Sequence, residues 1–371
     1  MRRYLHRYPE LSGCEENTKR YIKEKLEEYG IRYRVCPTNG GIYADVGKGE
    51  PCIALRADID ALPITEQTGL SYASEHVGVM HACGHDIHTA ILLVVGKVLK
   101  NREETLKGTV RLLFQPAEET DGGAEDMIAD GCMADPKVSA VLGLHVDPTQ
   151  AVRKVAFFPG AMNAAVTDFV LKVKGKGCHG AHPEQGVDAI VAAAQIVTSL
   201  QTIVSRRIAP TTPGVVTVGT IHGGTKENIV ADQVTMTGTI RAMEPETLLQ
   251  LKAAVEETAM FAARANGATV TIDMADVCPA LINDDKLQAK LFALAKNLLG
   301  EDKVIKLNAP SLGADDFAFF SDLVPGCFFN IGTLAEGQTD QALHSSVYAP
   351  DEGCMEVGIL LMTAGAANYL M

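Results

Sequence analysis

The run Cys52-Ile53-Ala54-Leu55-Arg56-Ala57 is short, apolar and rich in strand-forming residues, and it leads directly into Asp58-Ile59-Asp60. Three further runs of the same kind follow, at residues 109–114, 140–144 and 327–331, and helix-like stretches separate them. This alternation predicts an α/β domain built on a mixed, mainly parallel sheet.

Polar residues follow each of these runs, where a parallel sheet would place its functional site. Asp58 and Asp60 follow the first run, and Glu118 and Glu119 come after the second. His145 ends the third run, and the fourth precedes a loop that carries His344. Because open α/β sheets bind ligands at the carboxyl ends of their strands, we expect these side chains to converge.

The segment Met80-His81-Ala82-Cys83-Gly84-His85-Asp86-Ile87-His88-Thr89 concentrates a thiol, three imidazoles and a carboxylate beside a glycine. A helix-like apolar run at residues 90–99 follows it. Buried polar groups need partners, and a divalent metal ion would supply several together. An alternative is a cysteine-dependent hydrolase that uses Cys83 as the nucleophile with His85.

Each of these patterns also has a structural interpretation. Adjacent glutamates are often a solvated surface, although here one could bind a metal while the other takes protons from water. His145 and His344 could be histidines that hydrogen-bond to the backbone. Asp58 and Asp60 could form an Asx-type turn before Pro63, or could accept imidazole N–H groups and so orient metal ligands. Three other histidines read as structural, namely His6, His76 and His81.

The middle of the chain has a different pattern. Strand-like and helix-like stretches alternate in the order β-α-β-β-α-β, which is typical of ferredoxin-like α+β domains. We therefore predict an insertion at residues 166–276 between two parts of one domain, 1–165 and 277–371. At the start of the chain, Ser12 and Glu15 predict a capped helix that ends at Gly30.

Composition narrows the class of protein. The chain has 371 residues and a net charge of -13, which argues against a nucleic-acid partner. We find no secretory signal and no apolar run of about 18 residues, and so expect no membrane partner. The nine cysteines are scattered, and Cys52, Cys278 and Cys327 sit in apolar surroundings. A disulfide framework is therefore not expected, and a cytoplasmic location fits best.

Together these motifs resemble the M20 family of metallopeptidases, and within it the amidohydrolase subfamily of hippurate hydrolases and N-acyl-amino-acid amidohydrolases. The resemblance runs nearly end to end. It rests on His6-Arg7-Tyr8-Pro9-Glu10-Leu11-Ser12, Arg56-Ala57-Asp58-Ile59-Asp60-Ala61-Leu62-Pro63, Cys83-Gly84-His85-Asp86, Gln115-Pro116-Ala117-Glu118-Glu119, Gly143-Leu144-His145-Val146, His179-Gly180-Ala181-His182-Pro183 and Leu343-His344-Ser345.

The resemblance implies a zinc-peptidase-like catalytic domain that binds two divalent metal ions, zinc or else manganese, cobalt or nickel. The ligand positions of the family match Cys83, His85, Glu119, His145 and His344. Glu118 matches the general base, which takes a proton from a metal-activated water, and Asp60 matches the carboxylate that supports the ligands. His179 matches a residue that approaches the scissile carbonyl, while Asn228 and Arg241 resemble positions that bind the substrate carboxylate.

The implied reaction is hydrolysis of the amide bond of a small N-acyl amino acid to a carboxylic acid and an amino acid. The insertion resembles the lid or dimerisation domain of the family, which implies a homodimer. Two alternatives remain open: a di- or aminopeptidase on the same scaffold, and a non-catalytic binding protein that has kept the fold.

Overall fold

A computed structural model of the protein describes residues 1–120, 122–339 and 341–371. The α-helices are α1 (Arg2–Arg7), α2 (Glu16–Glu28), α3 (His85–Lys100), α4 (Gly123–Ala129), α5 (Ala189–Arg206), α6 (Pro245–Ala265), α7 (Asp285–Leu299), α8 (Phe317–Leu323) and α9 (Cys354–Tyr369). The strands are β1 (Tyr33–Val35), β2 (Ile42–Gly47), β3 (Cys52–Asp58), β4 (Thr109–Gln115), β5 (Val138–Ala151), β6 (Val155–Phe157), β7 (Gly160–Asn163), β8 (Ala165–Lys174), β9 (Cys178–His179), β10 (Gly214–Gly223), β11 (Ile229–Val230), β12 (Gln233–Ala242), β13 (Thr269–Cys278), β14 (Leu281–Asn283), β15 (Val304–Lys306) and β16 (Gly326–Leu334).

The chain divides into two units. The first comprises Met1–Gly160, Ile282–Pro310 and Asp315–Met371, and the second comprises Ala161–Leu281 and Ser311–Ala314. The assignment of the first unit to catalysis and of the second to a lid or dimerisation role stays a prediction.

A mixed sheet forms the centre of the first unit, and its strand order is β1-β2-β4-β3-β5-β16-β6-β15. The four middle strands, β4, β3, β5 and β16, are parallel to one another. All residues of β3 and β4 are buried, as expected of strands covered on both faces. The predicted mixed, mainly parallel sheet is confirmed, and all four predicted apolar runs are strands.

Helices α3 and α9 pack against each other and against this sheet. Leu55 of β3, Ile91 of α3 and Leu361 of α9 belong to one buried apolar core. Burying each side chain of this size contributes about 1.5–3 kcal/mol, so the core holds α3 rigidly on the sheet. Cys52 and Cys327 are buried in the first unit, and Cys278 is buried at the end of β13, as predicted.

The second unit has an antiparallel sheet with the strand order β10-β12-β8-β13, and α5 and α6 pack on it. This confirms the predicted ferredoxin-like order of elements. α5 starts at an Asp188 cap, whose side chain accepts the N–H groups of Ile190 and Val191, and α6 starts with Pro245. Phe169 from the sheet, Ile196 from α5 and Val255 from α6 share one buried core.

Two predictions about helices were wrong. Ser12 does not cap α2, because the helix begins at Glu16 and the Ser12 hydroxyl donates to Asp60 Oδ2 at 2.7 Å. α5 contradicts the prediction that no apolar run is long enough to cross a membrane, because it meets that criterion by length and composition. Ala192, Ile196 and Leu200 of α5 are nevertheless buried against the sheet, as in a core helix.

Candidate metal centre

The predicted polar residues meet at one edge of the central sheet. β3 ends at Asp58, β4 ends at Gln115 shortly before Glu118 and Glu119, and His145 lies within β5. Because β3 is parallel to β4 and to β5, the carboxyl ends of these strands point the same way. The start of α3 and the loop around residue 344 complete the cluster, since the N–H of His344 donates to Ala82 O at 2.9 Å.

Cys83 is shared by two groups of side chains that could each hold a metal ion. One group is Cys83, His85 and His145, and the other is Cys83, Glu119 and His344. Within each group the ligand atoms lie within 4.8 Å of one another. Cys83 Sγ is 3.4 Å from His145 Nε2 and 3.3 Å from His344 Nε2. The structure thus brings together all five residues predicted as ligands.

Hydrogen bonds commit Nδ1 of His85 and Nδ1 of His145 and leave the other nitrogen of each ring for a ligand. His85 Nδ1 donates to Asp60, at 2.9 Å from the backbone oxygen and 3.1 Å from Oδ1. His145 Nδ1 donates to the carbonyl of Val146 at 2.8 Å. Both rings therefore present Nε2 to the cluster, the arrangement that orients metal-binding histidines.

Two polar atoms of the cluster are buried without a hydrogen-bond partner among the described residues, namely His85 Nε2 and Glu119 Oε1. Their mutual distance is 3.9 Å, and Glu119 Oε1 lies 3.3 Å from His344 Nε2. Unsatisfied buried polar atoms cost free energy, and a metal ion would satisfy both. Thiolate, imidazole and carboxylate donors are the set that zinc and its neighbours bind, so these residues fit a pair of divalent ions.

The ionisation of the cluster opposes the alternative in which Cys83 is a nucleophile. Burial raises the pKa of the Cys83 thiol well above its ordinary value, whereas a nucleophilic cysteine needs a lowered pKa. Burial lowers the pKa of His85, but Asp58 and Cys83 outweigh it and raise the pKa. A metal ion that binds here therefore displaces protons.

Asp60 supports one member of each ligand group. Besides the contact with His85, its Oδ2 accepts the backbone N–H of Glu119 at 3.0 Å and the hydroxyl of Ser12 at 2.7 Å. Burial raises the pKa of Asp60, but the donors around it, His85 first, outweigh burial and lower the pKa. A charged carboxylate thus connects His85 to the turn that carries Glu119.

Asp58 accepts an imidazole N–H, as the second interpretation predicted, but from a ring that is not among the predicted metal ligands. The ring is that of His88, whose Nδ1 donates to Asp58 Oδ1 at 2.6 Å. His88 Nε2 accepts the N–H of Val146 at 3.0 Å, which ties the backbone next to His145. Sequence reasoning gave His88 no role, although its position one turn after His85 places both rings on one face of α3.

Glu118 and Glu119 occupy different electrostatic environments. Burial first, and then the carboxylates of Asp315 and Asp316, raise the pKa of Glu118 well above its usual value. For Glu119, burial is outweighed by the contact with His344, which lowers its pKa. A carboxylate oxygen of Glu118 lies within 4.8 Å of both His85 and Glu119, so it borders the cluster without belonging to either group that contains Cys83.

A buried arginine balances the acids beside Glu118. Arg56 is 1% exposed and donates to Asp58 Oδ2 at 2.7 Å, to Asp316 Oδ1 at 2.6 Å and to Gln115 Oε1 at 2.8 Å. Burial, with Asp315, raises the pKa of Asp316 to about 7 despite this arginine. Sequence reasoning missed Asp315 and Asp316; the only available signal was two adjacent acids before a helix.

Two residues of the site have left-handed backbones that side chains other than glycine rarely adopt. Ala117 has φ of 55° and His344 has φ of 61°. Such a conformation costs about 1–2 kcal/mol per residue and persists only where the surroundings impose it. Gly123 allows the Ala117 turn to pack closely, because a Cβ at that position would lie 2.4 Å from Pro116 O and 2.7 Å from Ala117 O.

An ion cluster joins α1 to the start of α3. His6 Nδ1 contacts Asp86 Oδ2 at 2.9 Å, its Nε2 contacts Glu66 at 3.2 Å, and Arg2 Nε lies 2.7 Å from Asp86. Burial lowers the pKa of His6, but Asp86 and Glu66 outweigh it and raise the pKa to about 9. His81 is also buried, and burial lowers its pKa to about 4.

The three remaining predicted residues lie in the second unit. His179 and Asn228 are close neighbours, because β9 pairs with β11 and the N–H of Gly180 donates to Asn228 O at 2.8 Å. His179 Nδ1 accepts the N–H of Ala181 at 3.0 Å. Arg241 donates to Leu312 O at 3.0 Å. The roles predicted for these residues stay predictions.

Comparison with known proteins identifies the family. Residues 54–366 match the sequence profile of Peptidase family M20/M25/M40. The chain is 42% identical over 360 residues to N-acetyl-L-cysteine deacetylase of Bacillus subtilis (strain 168), covering 95% of this chain and 83% of the relative. It is 35% identical to N-acetyldiaminopimelate deacetylase of Priestia megaterium, covering 98% and 96% of the two chains.

A solved structure supports the same family assignment. The Bacillus subtilis YXEP protein, described as a dinuclear metal binding peptidase from the M20 family, matches with a TM-score of 0.86 and 34% identity. The match covers 100% of this chain and 96% of that one. With the family profile, the relatives and the fold in agreement, this chain belongs to the M20 family of peptidases.

Proposed function

We propose that the protein hydrolyses the amide bond of N-acyl amino acids in a metal-dependent reaction, giving a carboxylic acid and a free amino acid. The observation that carries this proposal is the pair of ligand groups that share Cys83, with the carboxylate of Glu118 beside them. The family membership supports it, as do the relatives whose names denote deacetylases of N-acetyl-L-cysteine and N-acetyldiaminopimelate.

The metal pair would be held by Cys83, His85 and His145 on one side and by Cys83, Glu119 and His344 on the other. When bound, such ions act as Lewis acids that polarise the amide carbonyl and lower the pKa of water. The dinuclear description of the M20 relative supports two ions per subunit, zinc or else manganese, cobalt or nickel.

In this mechanism Glu118 is the general base. Its carboxylate takes a proton from the attacking water and later passes that proton to the leaving nitrogen. Burial first, and then Asp315 and Asp316, favour the protonated form of Glu118, which is the state reached after the first of these steps. During these steps Asp60 would keep its hydrogen bonds with the ring of His85 and with the backbone N–H of Glu119.

The second unit would supply substrate contacts. Because His179 Nδ1 accepts a backbone N–H, its neutral ring carries the hydrogen on Nε2, where it could donate to the oxyanion. Asn228 and Arg241 are proposed to bind the substrate carboxylate.

Homodimerisation through this unit is supported by the exposed edge strand β10. The acidic net charge of -13 supports the expectation of no nucleic-acid partner. A cytoplasmic location rests on the scattered cysteines.

A chelation and reconstitution series tests the function. The protein is stripped of metal, reloaded separately with zinc, manganese, cobalt or nickel, and assayed for release of free amino acid. The substrates are N-acetyl-L-cysteine, N-acetyldiaminopimelate and hippurate, with an unblocked dipeptide as the control for peptidase activity. Metal-dependent cleavage of an acylated substrate is expected. Cleavage of the dipeptide alone, or activity that survives chelation, would overturn the proposal.

A further inference from the structure

The turn that carries Glu118 and Glu119 is held by carboxylates on both sides. The N–H of Glu119, just after Glu118, donates to Asp60 Oδ2 at 3.0 Å. The N–H of Ala117, just before it, donates to Glu15 Oε1 at 2.9 Å. Asp60 already has a role as a support for the metal ligands, whereas Glu15 has none.

The side chain of Glu15 does not cap the helix that it precedes and bonds to other backbone groups instead. It occupies the N-cap position of α2, yet its side chain makes no capping hydrogen bond there. Instead Oε1 accepts the N–H of Ala117 and that of Gly13, both at 2.9 Å. Short side chains such as Asp and Ser at this position normally accept the N–H groups of the second or third helical residue, a bond that Glu15 does not form. The geometry therefore favours a function outside the helix.

The surroundings of Glu15 preserve this contact. Its side chain is fully buried, and Oε2 lies 3.2 Å from Nζ of Lys19, which is itself 5% exposed. Lys19 also donates to Asn39 O at 3.0 Å, and Asn39 Nδ2 donates to Gly123 O at 2.8 Å. A buried carboxylate needs such compensation. Through Asn39 and Gly123, the same network reaches the opposite side of the turn.

The backbone at Ala117 needs an external constraint. Its φ of 55° is left-handed, and the next residue along the chain is Glu118. If the Ala117 backbone relaxed, the Cα–Cβ directions of Glu118 and Glu119 would rotate together. We propose that Glu15 is a positioning residue that keeps Ala117 in this conformation and so sets where Glu118 and Glu119 point. The expected effect on catalysis rests on the proposed function, whereas the restraint of the Ala117 backbone by Glu15 does not.

A set of four single variants and one double variant tests the inference in the metal-loaded protein. Glu15→Ala removes the acceptor, and Glu15→Gln keeps an oxygen for the N–H of Ala117. Ala117→Gly removes the cost of the left-handed backbone. Glu10→Ala is the matched control, because the Glu10 side chain accepts the backbone N–H groups of Asn17 and Thr18 at the start of α2, whereas the N–H of Ala117 is bonded to Glu15.

In the activity assay, Glu15→Ala should lower kcat about 10- to 100-fold with KM little changed, the effect of a misplaced catalytic group. Glu15→Gln should restore kcat to within a few-fold of the wild type, and Glu10→Ala should match the wild type. A normal kcat in Glu15→Ala, or an equal loss in Glu10→Ala, would overturn the inference.

Urea unfolding gives a readout that does not depend on activity. If Glu15 acts through Ala117, Glu15→Ala should shift the unfolding midpoint less in the Ala117→Gly background than in the wild type, because the loss of the Lys19 ion pair is common to both backgrounds and only the loss at the turn differs. Equal shifts in both backgrounds would show that Glu15 does not hold this turn. Should the wild-type protein cleave none of the substrates, the proposed function fails while this comparison still decides the role of Glu15.

Discussion

Replacing Asp60 by Asn should weaken the two ligand groups unequally. The variant keeps an oxygen that can accept from His85 Nδ1, which lies 3.1 Å from Oδ1 of Asp60 in the wild-type structure. Its amide nitrogen then faces the N–H of Glu119 and the hydroxyl of Ser12. The hydroxyl can rotate to accept, but the backbone N–H cannot, so a buried donor loses its partner at a cost of about 1–3 kcal/mol.

This cost falls on the turn that carries Glu119. Loss of a hydrogen bond to a ligand typically lowers metal affinity about 10- to 100-fold, or about 1.4–2.8 kcal/mol. We therefore expect the group of Cys83, Glu119 and His344 to lose affinity by that factor. The group of Cys83, His85 and His145 should change less, because its contact with residue 60 survives.

Stepwise titration of the metal-free protein with cobalt against a competing chelator measures the two affinities separately. Ser12→Ala is the control, since it removes only the hydroxyl contact, and both affinities should stay closer to the wild type than in Asp60→Asn because Asp60 keeps its charge and still accepts from His85 and from the N–H of Glu119. Wild-type affinity at both positions in Asp60→Asn would refute the assignment of Asp60 as a support for the ligands.

Three further changes test other parts of the site. Glu118→Gln should retain both metal ions and lose about 10²- to 10⁴-fold in kcat, measured by elemental analysis and steady-state kinetics; normal turnover would contradict its role as the base. Cys83→Ala should lose metal from both positions, because both groups use its sulfur, and full occupancy by elemental analysis would remove it from the ligand set. For His6, the raised pKa of about 9 stabilises the fold below pH 6.5, and this contribution is lost as pH rises through 9. The advantage of the wild type over His6→Gln in urea unfolding at saturating metal, on the order of 3 kcal/mol, should therefore shrink over that range; a constant difference would contradict the ion cluster.

Local patterns predicted the elements and the convergence of the polar residues. An apolar strand followed by Asp58, or by His145, is readable because neighbouring parallel strands bring their carboxyl ends to one edge. The interpretation in which one glutamate binds a metal and the other takes protons requires two different environments, and the pKa values of Glu118 and Glu119 are shifted in opposite directions.

The missed contacts join residues far apart in sequence. Arg56 and Asp316 are separated by 260 positions, and no local pattern connects an arginine inside a strand with an acid before a helix. Ser12 shows the converse error. Its spacing to Glu15 is typical of a helix cap. In the structure, however, the Ser12 side chain bonds to Asp60 and the Glu15 side chain bonds to the backbone of Ala117. Local propensity is thus overruled where the fold offers a buried partner.

The sharing of Cys83 has a consequence for how the protein matures during synthesis. His145 is only 62 positions from Cys83, whereas His344 is 261 positions away and follows the whole insertion. One ligand triplet can therefore assemble early on the ribosome, while the other must wait until β16 has joined the sheet and the last loop has emerged. A nascent chain would therefore pass through a stage with one complete ligand triplet, in which Cys83 still lacks its contact with His344.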